Sequence, residues 1–177
     1  GLRTPYLGRR WMECIHACVD AACERGLGAW LYDEDKWPSG FAGGLSVASN
    51  PQYRARHLVC KVDNRPALVA ERIATFAARE VEGRLADLRP VNVPDLGGDD
   101  ERVVQFYPLV SPLGQARLND YTYLDVLNPA AVRAFLDATH EPYARLVGSD
   151  FGRAVPGIFT DEPGLLHRGP GASLPAI

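Results

Sequence analysis

The sequence lacks any hydrophobic run that approaches the roughly 20 residues required by a membrane-spanning helix. It also lacks a strong excess of either charge, since 19 basic and 22 acidic residues give a formal net charge of −3. Such a chain offers no strongly basic surface for nucleic acid or for an anionic membrane. The first ten residues do not show the basic and then apolar pattern of a signal peptide. We therefore expect neither a nucleic-acid partner nor a membrane partner.

Cysteine is scarce, and its spacing does not favour a metal centre. Cys14, Cys18 and Cys23 lie in one predicted helix, and Cys60 lies in a predicted strand. No CxxC pair is present, and no nearby histidine completes the tetrahedral set of a structural zinc site. We therefore predict no metal site at the cysteines and four buried free thiols. Free thiols are typical of a reducing compartment, so we expect a cytoplasmic location.

Helix and strand signals alternate in the first and last parts of the chain. The predicted elements are, in order, a helix over Trp11–Arg25, a strand over Ala29–Tyr32, a strand over Tyr121–Leu127, a helix from Asn128 to Gly148 and a strand that begins at Val155. Pro142 is expected to kink the second helix. The last strand must stop at or near Glu162, because Pro163 has no N–H and disfavours a helical residue before it.

The middle of the chain, residues 57–110, has a different pattern. Short alternating segments over residues 57–62, 72–78, 83–89 and 102–110 predict strands, and Val81-Glu82-Gly83 predicts the turn of a hairpin. Strands joined by turns favour an antiparallel sheet. We expect at least three strands here and no helix longer than two turns.

Alternating strands and helices predict an α/β fold with parallel strands and right-handed crossovers. A complete (β/α)8 TIM barrel needs roughly 250 residues, whereas this sequence has 177 and only three strands of the barrel type. We therefore predict that residues 1–177 form a partial (β/α)8 barrel with an antiparallel β insertion over residues 57–110. The remainder of the barrel is expected from flanking sequence.

Acidic residues lie at or near the carboxyl ends of the three predicted parallel strands, where α/β folds usually place their chemistry. They are Asp33, Glu34, Asp35, Asp125, Asp161 and Glu162. Clustered carboxylates raise each other's pKa, so that one carries a proton while another stays ionised. Glycoside hydrolysis requires this division between two carboxyl groups.

Aromatic residues near these acids offer flat faces that suit the apolar side of a sugar ring. Trp37 lies in a predicted loop and is expected to form such a platform, whereas Trp30 is expected to pack in the core. Tyr123 and Asp125 are further predicted substrate contacts. Asp33, Asp35 and Asp161 are predicted to bind sugar hydroxyls or a cation.

Three segments together resemble the catalytic barrel of bacterial α-L-rhamnosidase-like glycoside hydrolases. They are Trp30–Gly44 (WLYDEDKWPSGFAGG), Tyr123–Pro129 (YLDVLNP) and Gly157–Pro163 (GIFTDEP). The resemblance implies hydrolysis of O-glycosidic bonds in a carbohydrate substrate without a cofactor. It assigns the general acid to Glu162, which matches the glutamate that ends the fourth strand in these enzymes. Asp161 stands where many relatives carry Asn, and the partner carboxylate is expected on a later strand, beyond Ile177.

Two other functions fit the same residues. In a metal-dependent barrel lyase or isomerase, the acids would hold Mg²⁺ or Ca²⁺ through oxygen ligands, and metal analysis after chelation would reveal it. A non-catalytic carbohydrate-binding protein would need only the aromatic residues, and it would bind sugars without hydrolysing them.

Overall fold

The computed structural model describes residues 3–92 and 100–164, which fall into two compact units. The described part of the first unit comprises residues 3–55 and 111–164, and that of the second comprises residues 56–92 and 100–110. The two segments of the first unit meet where the chain leaves and re-enters it, since the Ser111 N–H donates to the Ala55 carbonyl at 2.8 Å. The fold class is mixed α/β, and the described residues show no closed barrel.

The described part of the first unit has three α-helices and a two-stranded parallel sheet. Their bounds are α1 Arg9–Arg25, β1 Leu31–Tyr32, α2 Pro129–Ala138, α3 His140–Val147 and β6 Ile158–Phe159. Single-turn 3₁₀ helices span Ala42–Gly44, Pro51–Tyr53, Ala116–Leu118 and Gly148–Asp150. In register, Leu31 is opposite Ile158 and Tyr32 is opposite Phe159. The pairing confirms that these two predicted strands are parallel, although both are shorter than predicted.

Local signals account for the helix ends. The α1 helix begins two residues before the predicted start and ends at Arg25, because Gly26 takes a left-handed conformation with φ +62°. The Gly26 N–H bonds the carbonyls of Ala22 and Cys23. The α2 helix starts as predicted, since the Asn128 side chain accepts from the Ala130 N–H and Pro129 occupies the first helical position.

The predicted kinked helix is instead two helices that break at Thr139. The Thr139 N–H and hydroxyl both bond the carbonyl of Phe135, and the next helix starts at His140. Pro142 is the third residue of α3, where a helix needs no N–H donor. The proline is therefore accommodated in the first turn of α3, and the break places the His140 side chain at a new helix start.

The predicted strand over Tyr121–Leu127 is wrong. Residues in this segment form only isolated bridges, Tyr121 with Gln115 and Leu124 with Arg54. Its hydrogen bonds alternate between two neighbours, because Gln115 binds the Tyr121 carbonyl whereas the Asp125 N–H binds the Tyr53 carbonyl. A segment whose backbone hydrogen bonds are divided between two neighbours cannot form a continuous strand pairing with either of them. Its side chains are nevertheless mostly buried.

The core of the first unit joins its helices to the parallel strands. One cluster of side chains, each no more than 3% exposed, comprises Val19, Leu31, Tyr143, Val147 and Val155. Two further clusters surround Phe135 of α2 and the buried Phe41 in the loop after β1. The packing fixes β1 and β6 against α1 and α3, so the residues that follow these strands emerge at one end of the pair.

The second unit contains a four-stranded antiparallel sheet in the order β2-β5-β3-β4. The strands are β2 Arg56–Asp63, β3 Ala74–Val81, β4 Arg84–Pro90 and β5 Glu101–Val110. Glu82 and Gly83, with φ of +53° and +75°, form the predicted hairpin turn. Four strands without an α-helix confirm the strand prediction for the described residues of this unit, which exclude residues 93–99.

The exposure of the cysteines differs from the prediction. The prediction of buried thiols is wrong for the three cysteines of α1, because Cys14, Cys18 and Cys23 all lie on its exposed side. Cys60 is half-buried in β2, and all four thiols are free.

Among residues 3–92 and 100–164, no helix is both long and apolar enough to cross a membrane.

Candidate carboxylate site at the end of the parallel strands

Asp33 directly follows β1, and its side chain is completely buried. Its carboxylate accepts three hydrogen bonds: from the Ser39 hydroxyl to Oδ1 at 2.6 Å, from the Thr160 hydroxyl to Oδ2 at 2.6 Å and from His140 Nε2 to Oδ2 at 2.8 Å. An ionised carboxylate only accepts, so Nε2 of His140 carries the proton in this contact. The buried charge is thereby supplied with the donors that it needs.

The hydrogen bonds outweigh burial in setting the protonation of Asp33. Burial raises the pKa of Asp33, whereas the hydrogen bonds from His140, Ser39 and Thr160 lower it, and the net shift of this pKa is downward. Asp33 therefore stays ionised at neutral pH. Its oxygens are all committed to protein donors, so Asp33 organises the site from within and has no exposed surface to offer a ligand.

Ser39 connects the two strand ends. Its hydroxyl accepts from the Asp161 N–H at 2.9 Å while donating to Asp33, and its own N–H donates to the Asp161 carbonyl at 3.0 Å. The Tyr32 hydroxyl adds a bond to Asp161 Oδ2 at 3.3 Å. The structure therefore brings Asp33 and Asp161 together, one acid from the end of each strand, as their positions after parallel strands predict.

Glu34 is the least satisfied acid of the group. It is only 7% exposed, and its Oε2 is buried without a hydrogen-bond partner. Burial and the negative charge of Asp161 raise the pKa of Glu34 to about 7. Neighbouring acids thus differ in protonation: Asp33 holds its charge, while Glu34 exchanges its proton near neutral pH.

The other predicted site residues lie at varied depths. Asp35 is exposed, and its Oδ2 accepts from Asn119 Nδ2 at 2.7 Å. Trp37 is 48% exposed in the loop after β1. Glu162 is exposed on the segment after β6, with a left-handed φ of +42° that is uncommon outside glycine.

Tyr123 and Asp125 belong to the irregular segment that replaces the predicted third strand. Tyr123 is 1% exposed, and its hydroxyl donates to the Ser39 carbonyl at 2.5 Å and accepts from the Gly164 N–H at 3.1 Å. It therefore braces the loop that carries Ser39. Asp125 is half-buried and accepts from the Leu127 N–H at 3.1 Å, in the turn before α2.

Ser39, His140 and Thr160 were not among the predicted site residues, and Glu34 was predicted only as one of the acids near the end of the first strand. Ser39, His140 and Thr160 hold Asp33, and Glu34 carries the raised pKa. A signal was present for Ser39, Glu34 and Thr160, since each lies within one of the two segments 30–44 and 157–163 that carry the resemblance. His140 had no such signal, because its contact with Asp33 spans 107 positions of the chain.

One aromatic prediction is also wrong. Trp30 was expected in the core but is 65% exposed, because it lies across Gly157 of the neighbouring segment instead of entering the helix-packed face. A Cβ atom at Gly157 would come within 2.9 Å of the indole. Trp30 therefore depends on the absence of a side chain at position 157.

Within the described residues, no group of three or more His, Cys, Asp or Glu side chains is arranged to hold a metal ion.

Comparisons with protein-family models, with curated proteins and with solved structures found no match to this chain.

Proposed function

We propose that the chain contributes the carboxylate site of a glycoside hydrolase that cleaves O-glycosidic bonds by acid/base catalysis. The observation that carries this proposal is the gathering of Asp33, Glu34 and Asp161 after two parallel strands, with opposite pKa shifts for Asp33 and Glu34. Neighbouring carboxyl groups whose pKa values are driven apart are typical of sites that use one acid and one base, as glycoside hydrolysis does. The proposed scaffold is a partial (β/α)8 barrel, of which β1 and β6 are two strands.

The resemblance of the segment 30–44 and of the GIFTDEP segment to α-L-rhamnosidase-like enzymes supports the same chemistry. In this proposal Glu162 is the general acid, and its exposed side chain is free to approach a glycosidic oxygen. Asp35, Trp37 and Asp161 are the proposed contacts for the carbohydrate. In this proposal Asp33 and Tyr123 hold the site in place without contacting the carbohydrate, because both are buried and hydrogen-bonded within the protein.

Glu162→Gln tests the general acid, because it removes the proton with little change in shape. General acid catalysis typically supplies about 10²–10⁴-fold in rate. Hydrolysis of an alkyl glycoside, whose leaving group needs a proton, should fall by about this factor. A nitrophenyl glycoside has a good leaving group and should be affected far less.

Glu82→Gln is the matched control, since Glu82 is also exposed with a positive φ but lies in the β3–β4 turn. It should leave both rates and the melting temperature unchanged. Equal losses on both substrates in Glu162→Gln would remove Glu162 from the acid role. These rates are measured in the full-length protein with its flanking sequence, and a full-length wild type that cleaves neither an alkyl nor an aryl glycoside would refute the hydrolase proposal itself.

The contact between His140 and Asp33 favours a second function, a barrel lyase or isomerase with a histidine base. Asp33 orients one imidazole nitrogen at 2.8 Å, and the ring remains 31% exposed. A carboxylate that holds one nitrogen leaves the other as a proton acceptor. Loss of activity on chelation, restored by added Mg²⁺ or Ca²⁺, would favour this function over the hydrolase.

A further inference from the structure

The outer edge of β2 is open to a further strand in the described part of the second unit. This strand lies at one end of the sheet, and it pairs with β5 over all eight of its residues without a shift in register. It contains no proline, and none of its residues is buried. A long and regular strand edge presents a row of backbone donors and acceptors with which another strand can pair.

The opposite edge of the sheet, β4, has the features that block such pairing. The register between β3 and β4 shifts between Ala77 and Arg79, and Asp87 takes a left-handed φ of +55°. Pro90, the last residue of β4, has no N–H to donate. Irregular register, charge and proline are the usual protection of strand edges. Since β2 has neither a bulge nor a proline, it is the edge at which this sheet can be extended.

The pairing with β5 determines which backbone groups of β2 point outward. The Ser111 N–H donates to the Ala55 carbonyl at 2.8 Å, and the pairing continues from there without a shift. The bonding direction alternates along an antiparallel strand, so the odd-numbered residues of β2 bond β5 and the even-numbered ones direct their N–H and carbonyl groups outward. The central residues that offer these groups are Leu58, Cys60 and Val62.

We propose that β2 pairs antiparallel with β2 of a second copy of the protein, about a two-fold axis at Cys60, and thereby joins two sheets into one. In this register Leu58 lies opposite Val62 of the second copy on one face of the sheet. On the other face, His57 lies opposite Asp63 of the second copy. Apolar side chains therefore meet apolar side chains, and an imidazole meets a carboxylate, as favourable cross-strand pairs require.

The charges of β2 distinguish this register from its neighbours. An axis at Val59 would place His57 opposite Lys61 of the second copy, and an axis at Lys61 would place two ammonium groups opposite each other. Like charges directly opposite are destabilising. An axis at Cys60 avoids both contacts, and Lys61 keeps its ion pair with Asp63 at 2.9 Å. Because this contact uses the β2 edge of both copies, assembly through it stops at a dimer.

Oxidative cross-linking in the full-length protein tests the register. Opposite residues of a hydrogen-bonded pair have Cα atoms about 5.5 Å apart, which a disulfide can span. The exposed Cys14, Cys18 and Cys23 are first replaced by serine. Copper–phenanthroline should then produce a peptide in which Cys60 is linked to Cys60.

The control places the only thiol of β2 at position 58, as Leu58→Cys combined with Cys60→Ser. Leu58 is on the same face and is 58% exposed, so random collisions would link this thiol at least as readily as Cys60. In the proposed register, however, position 58 is about four residues, or about 13 Å, along the strand from position 58 of the second copy. This variant should therefore not cross-link.

Light scattering measures the same contact under reducing conditions. The wild type should have twice the mass of its chain. Cys60→Lys would place two ammonium groups together on the axis and should reduce the mass to that of one chain, whereas Leu58→Lys, opposite Val62, should leave the dimer intact. Circular dichroism checks that both variants are folded.

Three results would overturn the proposal. They are a monomeric wild type, including one that instead retains an extended peptide of another protein, a Leu58→Cys variant that cross-links as readily as Cys60, and a folded Cys60→Lys variant that is still a dimer. None of these results depends on glycoside hydrolysis, so the dimer and the hydrolase can each fail without the other.

Discussion

Asp33→Asn is the most direct test of how the site is held together. The substitution preserves the size of the side chain but removes its charge and one of its two acceptor oxygens. The amide can accept from the Thr160 and His140 side with its oxygen, and its NH₂ group then faces the Ser39 hydroxyl, which donates to Asp33 in the wild type. One of the three hydrogen bonds must therefore be lost or reversed, and the other two lose their charge assistance.

The size of the effect follows from these bonds. Hydrogen bonds to a charged group contribute about 1.5–3 kcal/mol each, and neutral ones about 0.5–1.5 kcal/mol. Losing one and weakening two is offset in part, because burying an amide costs less than burying a carboxylate. We expect the free energy of unfolding to fall by about 2–4 kcal/mol at neutral pH.

The loss of unfolding free energy in Asp33→Asn should depend on pH in a defined direction. The folded-state pKa of Asp33 is lower than its unfolded value, so the stabilisation is complete above the unfolded pKa and disappears as pH falls through the folded pKa. The difference between wild type and Asp33→Asn should therefore be largest at neutral pH and shrink in acid. Urea denaturation, followed by circular dichroism at a series of pH values, measures this difference.

Asp35→Asn serves as the control, because Asp35 is exposed and makes one side-chain bond with Asn119. It should cost less than about 1 kcal/mol. An Asp33→Asn protein as stable as this control at neutral pH would show that the buried hydrogen bonds do not stabilise the fold. A deficit that stayed constant into acid would show that the charge of Asp33 is not the cause.

Two further substitutions test the local structure near the site. Gly44→Ala should lower the free energy of unfolding by about 2–5 kcal/mol, since φ is +103° and a Cβ would overlap the ring of Tyr121. Gly26→Ala, with φ +62° and open space, should cost only about 1 kcal/mol, and equal costs in thermal melts would contradict the overlap. Asn128→Ala removes the side chain that accepts from the Ala130 N–H and should lower the free energy of unfolding by about 1 kcal/mol. An unchanged urea midpoint would show that this cap does not stabilise the protein.

Sequence patterns predicted the elements whose signals are local. Gly26 ends α1, Asn128 caps α2, and Glu82-Gly83 turns the hairpin, and each of these effects needs only neighbouring residues. The predicted strand after Tyr121 failed for the opposite reason. Its apolar residues are buried as expected, but its backbone partners are Tyr53, Ala55 and Gln115, which no alternation of residues within the segment reveals.

The site likewise combines features that the order of elements predicts with features that depend on tertiary structure. The positions of Asp33 and Asp161 at the carboxyl ends of parallel strands follow from the order of elements, and so both could be predicted to lie at the same end of the sheet. The pKa of Glu34 depends on how deeply its side chain is enclosed and on the distance from Asp161, both of which are tertiary properties. The bond from His140 to Asp33 depends on a helix break that the sequence placed at Pro142 and the structure places at Thr139.

The hydrogen bond between Ser111 and Ala55 has a consequence for how the chain tolerates change. Since the polypeptide leaves the first unit at Ala55 and re-enters it beside the same residue, everything between them is topologically a loop. The entropic cost of closing a loop grows only with the logarithm of its length, by about 0.6 kcal/mol per doubling. Lengthening or shortening residues 56–110 should therefore cost the first unit little loop-closure entropy, and Ala55 and Ser111 are the natural junctions for exchanging this segment.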